Sequence, residues 1–146
     1  MPKVNSPAAK GFAAARKWLR ELDTDATSAL IIAASDIVLV VDAADQGLIR
    51  DVAFGSEELE RDFNGVTLTG RHWSEIVTEE SRPKIDALLA DAAAATPGRW
   101  RHVNAIIDGR DSVPVLFTAM QVGERGRVLA VGRSMRNIAS MQQRVI

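Results

Sequence analysis

The last third of the chain restricts its fold most. Three strand-like segments follow one another there with only turns between them. WRHVNAIID, Trp100 to Asp108, passes through Gly109-Arg-Asp-Ser into VPVLFTAMQV, Val113 to Val122. Gly123-Glu-Arg-Gly126, a tight loop with a glycine at each end, then leads into RVLAVGR, Arg127 to Arg133. Strands joined by such short turns read as antiparallel neighbours.

Two more strands come earlier. Ile37 to Val41, IVLVV, is a β-branched run of the kind found in a buried strand. The turn segment DAADQG separates it from Leu48 to Phe54, LIRDVAF, which gives a hairpin. Helical signals fill the gaps. Asp25 or Thr24 caps a helix running to about Ala34, and Ser56 caps a short one over Glu57 to Arg61. Trp73, Ile76 and Val77 follow a turn-rich stretch, Asn64 to Gly70. Thr78-Glu-Glu-Ser81 reads as a capping box that opens a helix from about Glu79 to Ala95. Pro83 falls in its first turn, where a missing N–H costs little, and Ile85, Leu88, Leu89 and Ala92 form its apolar stripe. The expected fold is α+β: a five-stranded antiparallel sheet with helices on one face and a pocket between the layers.

Segments at both ends flank this unit. Residues 1–22 comprise a tail and an amphipathic helix from Ala8 to Leu22, with Phe12, Ala15, Trp18, Leu19 and Leu22 apolar. Such a stripe must be buried, either on its own domain or on a second chain. A last helix begins near Ser134 and carries Ile138, Met141 and Val145 at three- or four-residue spacing. The expected division is flank 1–22, domain 23–134 and exit helix 135–146. The two stripes together suit a dimer seam.

Composition narrows the function. The 146 residues carry a formal net charge of −1 at a pI near 6.1, which argues against direct nucleic-acid contact by this domain. There is no cysteine, so disulfides, thiolate metal sites and cysteine nucleophiles are excluded. No signal-peptide pattern and no membrane-length apolar run is present, and a cytoplasmic protein is expected.

The order helix, strand, strand, short helices, long helix, three strands and exit helix resembles a PAS domain, a sensing and dimerisation module. The WRHVNA strand, the VPVLFTAMQVGERGRVLAVGR hairpin and the continuation SMRNIASMQQRVI, with Gln142-Gln143 in the exit helix, sharpen the resemblance. Together they are similar to the amino-terminal PAS region of the PpsR/CrtJ-type repressors of photosynthesis genes, over roughly Ala29 to Ile146. That resemblance implies transcription regulation, a homodimer, a regulatory protein partner of the antirepressor kind, and further domains of a longer repressor. The family's DNA-binding activity falls on none of these residues.

Candidate chemistry is sparse. On the Trp100–Asp108 strand, Trp100, His102 and Asn104 alternate onto one face, as a pocket wall, an interface or a solvated edge. His72, beside Trp73, is the one metal candidate, because PAS domains that bind haem take an axial histidine from this general region. Adduct-forming flavin chemistry needs a cysteine the chain lacks, while haem or non-covalent flavin stays open. The many carboxylates fall at helix starts and on exposed faces, and no Gly-x-Ser-x-Gly elbow, Walker loop or HExxH occurs. No catalytic residue is expected and the chain is not expected to be an enzyme. The expected function is a signalling and dimerisation module; the alternative is a small-ligand sensor, for example of haem, using the pocket.

Overall fold

The computed structural model describes residues 23–64, 66–95, 99–107, 111–123 and 126–136. Helix α1 spans Thr24–Ala33 and leads into strand β1, Ile37–Asp42. A short 3-10 turn, Ala43–Asp45, reverses the chain into β2, Leu48–Phe54. Helix α2, Glu57–Asp62, precedes two further 3-10 turns, Trp73–Ile76 and Glu79–Ser81. Helix α3, Arg82–Ala93, is followed by β3, Arg101–Ile106, β4, Ser112–Gln121, and β5, Arg127–Ser134.

The five strands form one antiparallel sheet in the order β2-β1-β5-β4-β3. First and last strands therefore lie side by side in the middle. Alternation sends Ile37, Leu39 and Val41 of β1, Val128 and Ala130 of β5, and Val115, Phe117 and Ala119 of β4 to one face, where all are buried. The helical layer closes over that face with Leu59, Phe63, Trp73, Ile76, Ile85, Leu88 and Ala92, making one apolar cluster. A register shift between Val40 and Val41 passes over Arg50, which keeps Val41 and Ile49 both inside. Arg50 is left outside and pairs with Asp42 at 3.2 Å and with Asp45 at 3.7 Å.

Local signals set the helix starts, with some corrections. Ser56 accepts a hydrogen bond from the Leu59 N–H and caps α2. The cap of α1 is Asp23, one residue before the expected pair, accepting from the Ala26 N–H at 2.7 Å. The expected capping box at Thr78 is absent. The Thr78 hydroxyl instead donates to Ser81 Oγ at 3.0 Å, Glu79–Ser81 is a 3-10 turn, and α3 starts only at Arg82. Ser81 Oγ also accepts from the Asn104 N–H at 2.9 Å, so the hydroxyl pair is spent pinning the outer edge of β3. Among the described residues, no helix is long and apolar enough to cross a membrane.

Candidate functional site

The residues expected to line one pocket or surface lie in three places. Trp73 is fully buried in the cluster, its ring edge-on to Phe117 with centroids 5.2 Å apart. Its indole N–H is buried without a hydrogen-bond partner. His72, its neighbour, turns to the surface. The His72 backbone N–H donates to Glu75 Oε1 at 3.0 Å, and ring Nδ1 lies 3.0 Å from the same oxygen. The backbone donor, then the ring, hold the Glu75 carboxyl below its ordinary range. His72 thus closes the 3-10 turn at Trp73–Ile76, and Trp73 takes the inward position.

Trp100, His102 and Asn104 lie on the opposite, outer face of the sheet, as the alternation predicts. His102 Nε2 is 3.0 Å from Asn104 Oδ1. The Arg133 guanidinium sits 5.3 Å from the Trp100 ring centroid, a cation–π contact at the rim of this face. On the inward side of the same strand, Val103 and Ala105 enter the core. Arg101 makes a bidentate pair with Asp91 of α3, at 3.0 and 3.2 Å, which ties helix to strand.

The outer face is more apolar than its strands suggested. Strand register aligns Val38 of β1 with Val131 of β5 and Val131 with Thr118 of β4. Pairing of Arg101 with Phe117 brings Trp100 to the end of that row. A second row joins Val40, Leu129 and Met120. Trp100 is 42% and Met120 45% exposed, yet Val38 and Thr118 are each only 6% exposed.

One further site was missed in the sequence. The start of β1 and the end of β5 are locked together: the Asp36 N–H donates to Gly132 O at 2.9 Å, and Asp36 Oδ2 accepts from the Ser134 N–H at 2.7 Å. The Asp36 carbonyl also accepts from the Gly55 and Ser56 N–H groups. Arg136, just past β5, pairs with Asp62 of α2. No local signal marks Asp36, because its partners lie far along the chain. The expected seam residues Phe12, Ala15, Trp18, Leu19, Leu22, Ile138, Met141 and Val145 lie outside the described residues.

No family model matches the chain. It is 29% identical over 139 residues to Protein CrtJ of Rhodobacter capsulatus, a match covering 92% of this chain and 28% of that protein. The chain therefore spans little more than a quarter of the relative it matches. Among solved structures, the N-terminal domain of a diguanylate cyclase with PAS/PAC sensor from Marinobacter aquaeolei superposes with a TM-score of 0.50 at 8% identity, covering 68% of this chain and 94% of that one. The PAS domain of an HTR-like protein from Haloarcula marismortui gives a TM-score of 0.43 at 20% identity, over 82% of this chain and 97% of that one. The chain has a PAS-like α+β fold and resembles the amino-terminal PAS region of the PpsR/CrtJ type.

Proposed function

We propose that this chain is a PAS signalling and dimerisation module of a bacterial transcriptional regulator, passing its signal through protein–protein contacts. The observation that carries this reading is the central pairing of β1 with β5. Ile37, at the start of β1, lies opposite Gly132, near the end of β5, so the chain enters and leaves the sheet side by side at one end. Asp36 bonds one exit to the other. A shift of the sheet or of α2 is then felt where the exit helix begins, and changes how that helix pairs. The exit-helix stripe Ile138, Met141 and Val145 forms the seam. The resemblance to CrtJ supports the regulatory role, with further domains and a regulatory partner outside these residues.

Molar mass by light scattering tests it. The full chain is expected at twice its 15.8 kDa, and a version lacking residues 136–146 at the monomer mass. A full chain that stays monomeric far above cellular concentration would sink the reading.

A second reading, a small-ligand sensor, draws on the buried indole N–H of Trp73, which has no acceptor. Haem titration separates the two. A Soret band lost on His72→Ala would support the sensor; no band would remove haem as its ligand.

A further inference from the structure

A sheet can grow at an edge wherever backbone groups lie unpaired. Here the edge strands are β2 and β3. The chain closes part of each with its own residues. On β3, the Asn104 carbonyl accepts from the Thr78 N–H, and the Asn104 N–H donates to Ser81 Oγ, each at 2.9 Å. On β2, the Ile49 N–H donates to Arg71 O, and Ile49 O accepts from the Gly70 N–H, both at 2.8 Å. The rest of β2, residues 50–54, has no strand on its outer side among the described residues. The pairing fixes what that stretch presents. Ile37 stands opposite Phe54, and the Gly55 N–H donates to Asp36 O at 2.9 Å. Amides alternate along an antiparallel pair, so those of Asp51 and Ala53 face β1 while those of Val52 and Phe54 face outward. The Val52 N–H nevertheless has an acceptor, Asp51 Oδ1 at 2.9 Å, supplied by the preceding side chain. The carboxylate therefore stands where the carbonyl of an added strand would have to come. An arriving carbonyl oxygen meets a negative oxygen and finds its donor taken. The register shift beside it bends the same edge, and Arg50, at the shift, is held back by Asp42 and Asp45.

We propose that residues 50–54 are a latent strand-pairing edge for a second copy of this chain, and that Asp51 holds it shut. The edge suits its own copy. With Val52 opposite the same residue of the copy, each outward Val52 N–H reaches the other's carbonyl. In that register Asp51 falls opposite Ala53, so no like charges stand directly across from each other. The contact is two-fold and closes on itself, because the far edges, at β3, are already tied to Thr78 and Ser81. Pairing groups are present, and the side chain of one exposed residue occupies the central donor. Acidic residues that blunt an edge in this way keep a sheet from extending. The inference does not depend on the regulatory reading: whatever mass the native chain has in solution is the reference from which added association is measured.

Two substitutions in the full chain separate the hydrogen bond from the charge. Asp51→Ala removes both, whereas Asp51→Asn keeps an oxygen that can accept from the Val52 N–H. Asp51 is exposed, so both variants are expected to fold, which circular dichroism checks. Molar mass is followed by light scattering over a concentration series, and amide exchange at Val52 and Phe54 is read on the same samples. Asp51→Ala is expected to associate beyond the native mass with an affinity at least about tenfold above that of the native chain. Exchange at Val52 and Phe54 should slow as its concentration rises. Asp51→Asn is expected to stay near the native mass. Asp51→Ala that keeps the native mass across the series would overturn the inference. So would added association that leaves exchange at Val52 and Phe54 unchanged, because the contact then lies on another surface. Asp51→Asn that associates as readily as Asp51→Ala would overturn the hydrogen-bonded seal.

Discussion

Gly132 faces the core between Phe117 and Ile37. A Cβ there would lie 2.6 Å from Phe117 Cε1 and 2.7 Å from Ile37 Cγ2. Those are side-chain atoms with some freedom, so Gly132→Ala is expected to cost about 1–3 kcal/mol as overpacking. At Gly55 a Cβ would meet backbone instead, 2.0 Å from Ser35 O and 2.2 Å from Ile32 O. Backbone does not step aside, so denaturant midpoints should rank Gly55→Ala below Gly132→Ala. Thr118 is the opposite case. Its hydroxyl is buried without a partner, and valine keeps its shape. Thr118→Val is expected to raise stability by about 1 kcal/mol, since a buried unpaired hydroxyl is a net cost. A lowered midpoint would show that the hydroxyl finds an acceptor. Glu75 sets a pH dependence. Its folded pKa lies below the ordinary 4.5, so its contribution is present above that value and is lost as pH falls through the folded pKa. The stability gap between the native chain and Glu75→Gln should therefore close during acid titration below about pH 4.5, the usual carboxylate range.

Helices and strands show where local pattern suffices. The β-branched run IVLVV, the hairpin turn and the glycines of Gly123–Gly126 specify strands through short-range rules. The observed β1, β2, β4 and β5 lie within a residue of the expected bounds at each end. Both loop glycines have positive φ, 74° and 69°, the conformation glycine adopts freely. The misreading at Thr78 has a physical cause. Thr-Glu-Glu-Ser is compatible with a capping box, but Asn104, 23 residues downstream of Ser81, claims the Ser81 hydroxyl. A propensity rule cannot see a partner that far along the chain. The orientation of His72 was hidden for a related reason: the sequence shows a histidine beside a tryptophan, not which of the two turns inward. Ser81→Ala tests the tie between α3 and β3. Ser81 is 2% exposed, and its loss leaves the Asn104 N–H without its acceptor. A cost of about 1–3 kcal/mol is expected, the penalty of a buried donor left unpaired. A loss under a few tenths would mean that water replaces the hydroxyl.

The described sheet is arranged so that the start of its first strand meets the end of its last. Because β1 and β5 are central and adjacent, the order β2-β1-β5-β4-β3 makes Asp36 and Ser134 spatial neighbours although they lie 98 positions apart in the sequence. This proximity was legible only as topology, once five antiparallel strands were assumed, and the residues that fix it were not. Arg136 adds a second tie, from the first turn beyond β5 to Asp62 of α2 in the helical layer. The pair is half in water, with side-chain exposures of 47% and 21%, so it contributes no more than about 1 kcal/mol. That is enough to steady the residues just past β5. Arg136→Glu should place like charges together and speed amide exchange at Ser134–Arg136 by up to about fivefold, the factor that 1 kcal/mol allows. Adding Asp62→Arg reverses both charges and should return exchange to within about twofold of native, since a surface pair depends on sign and distance more than on which partner carries which charge. Recovery in the double variant, with exchange elsewhere unchanged, would establish that the helical layer holds the residues just past β5 through this contact. Exchange indifferent to both changes would leave Asp36 as the sole described link between the ends of the sheet and the exit.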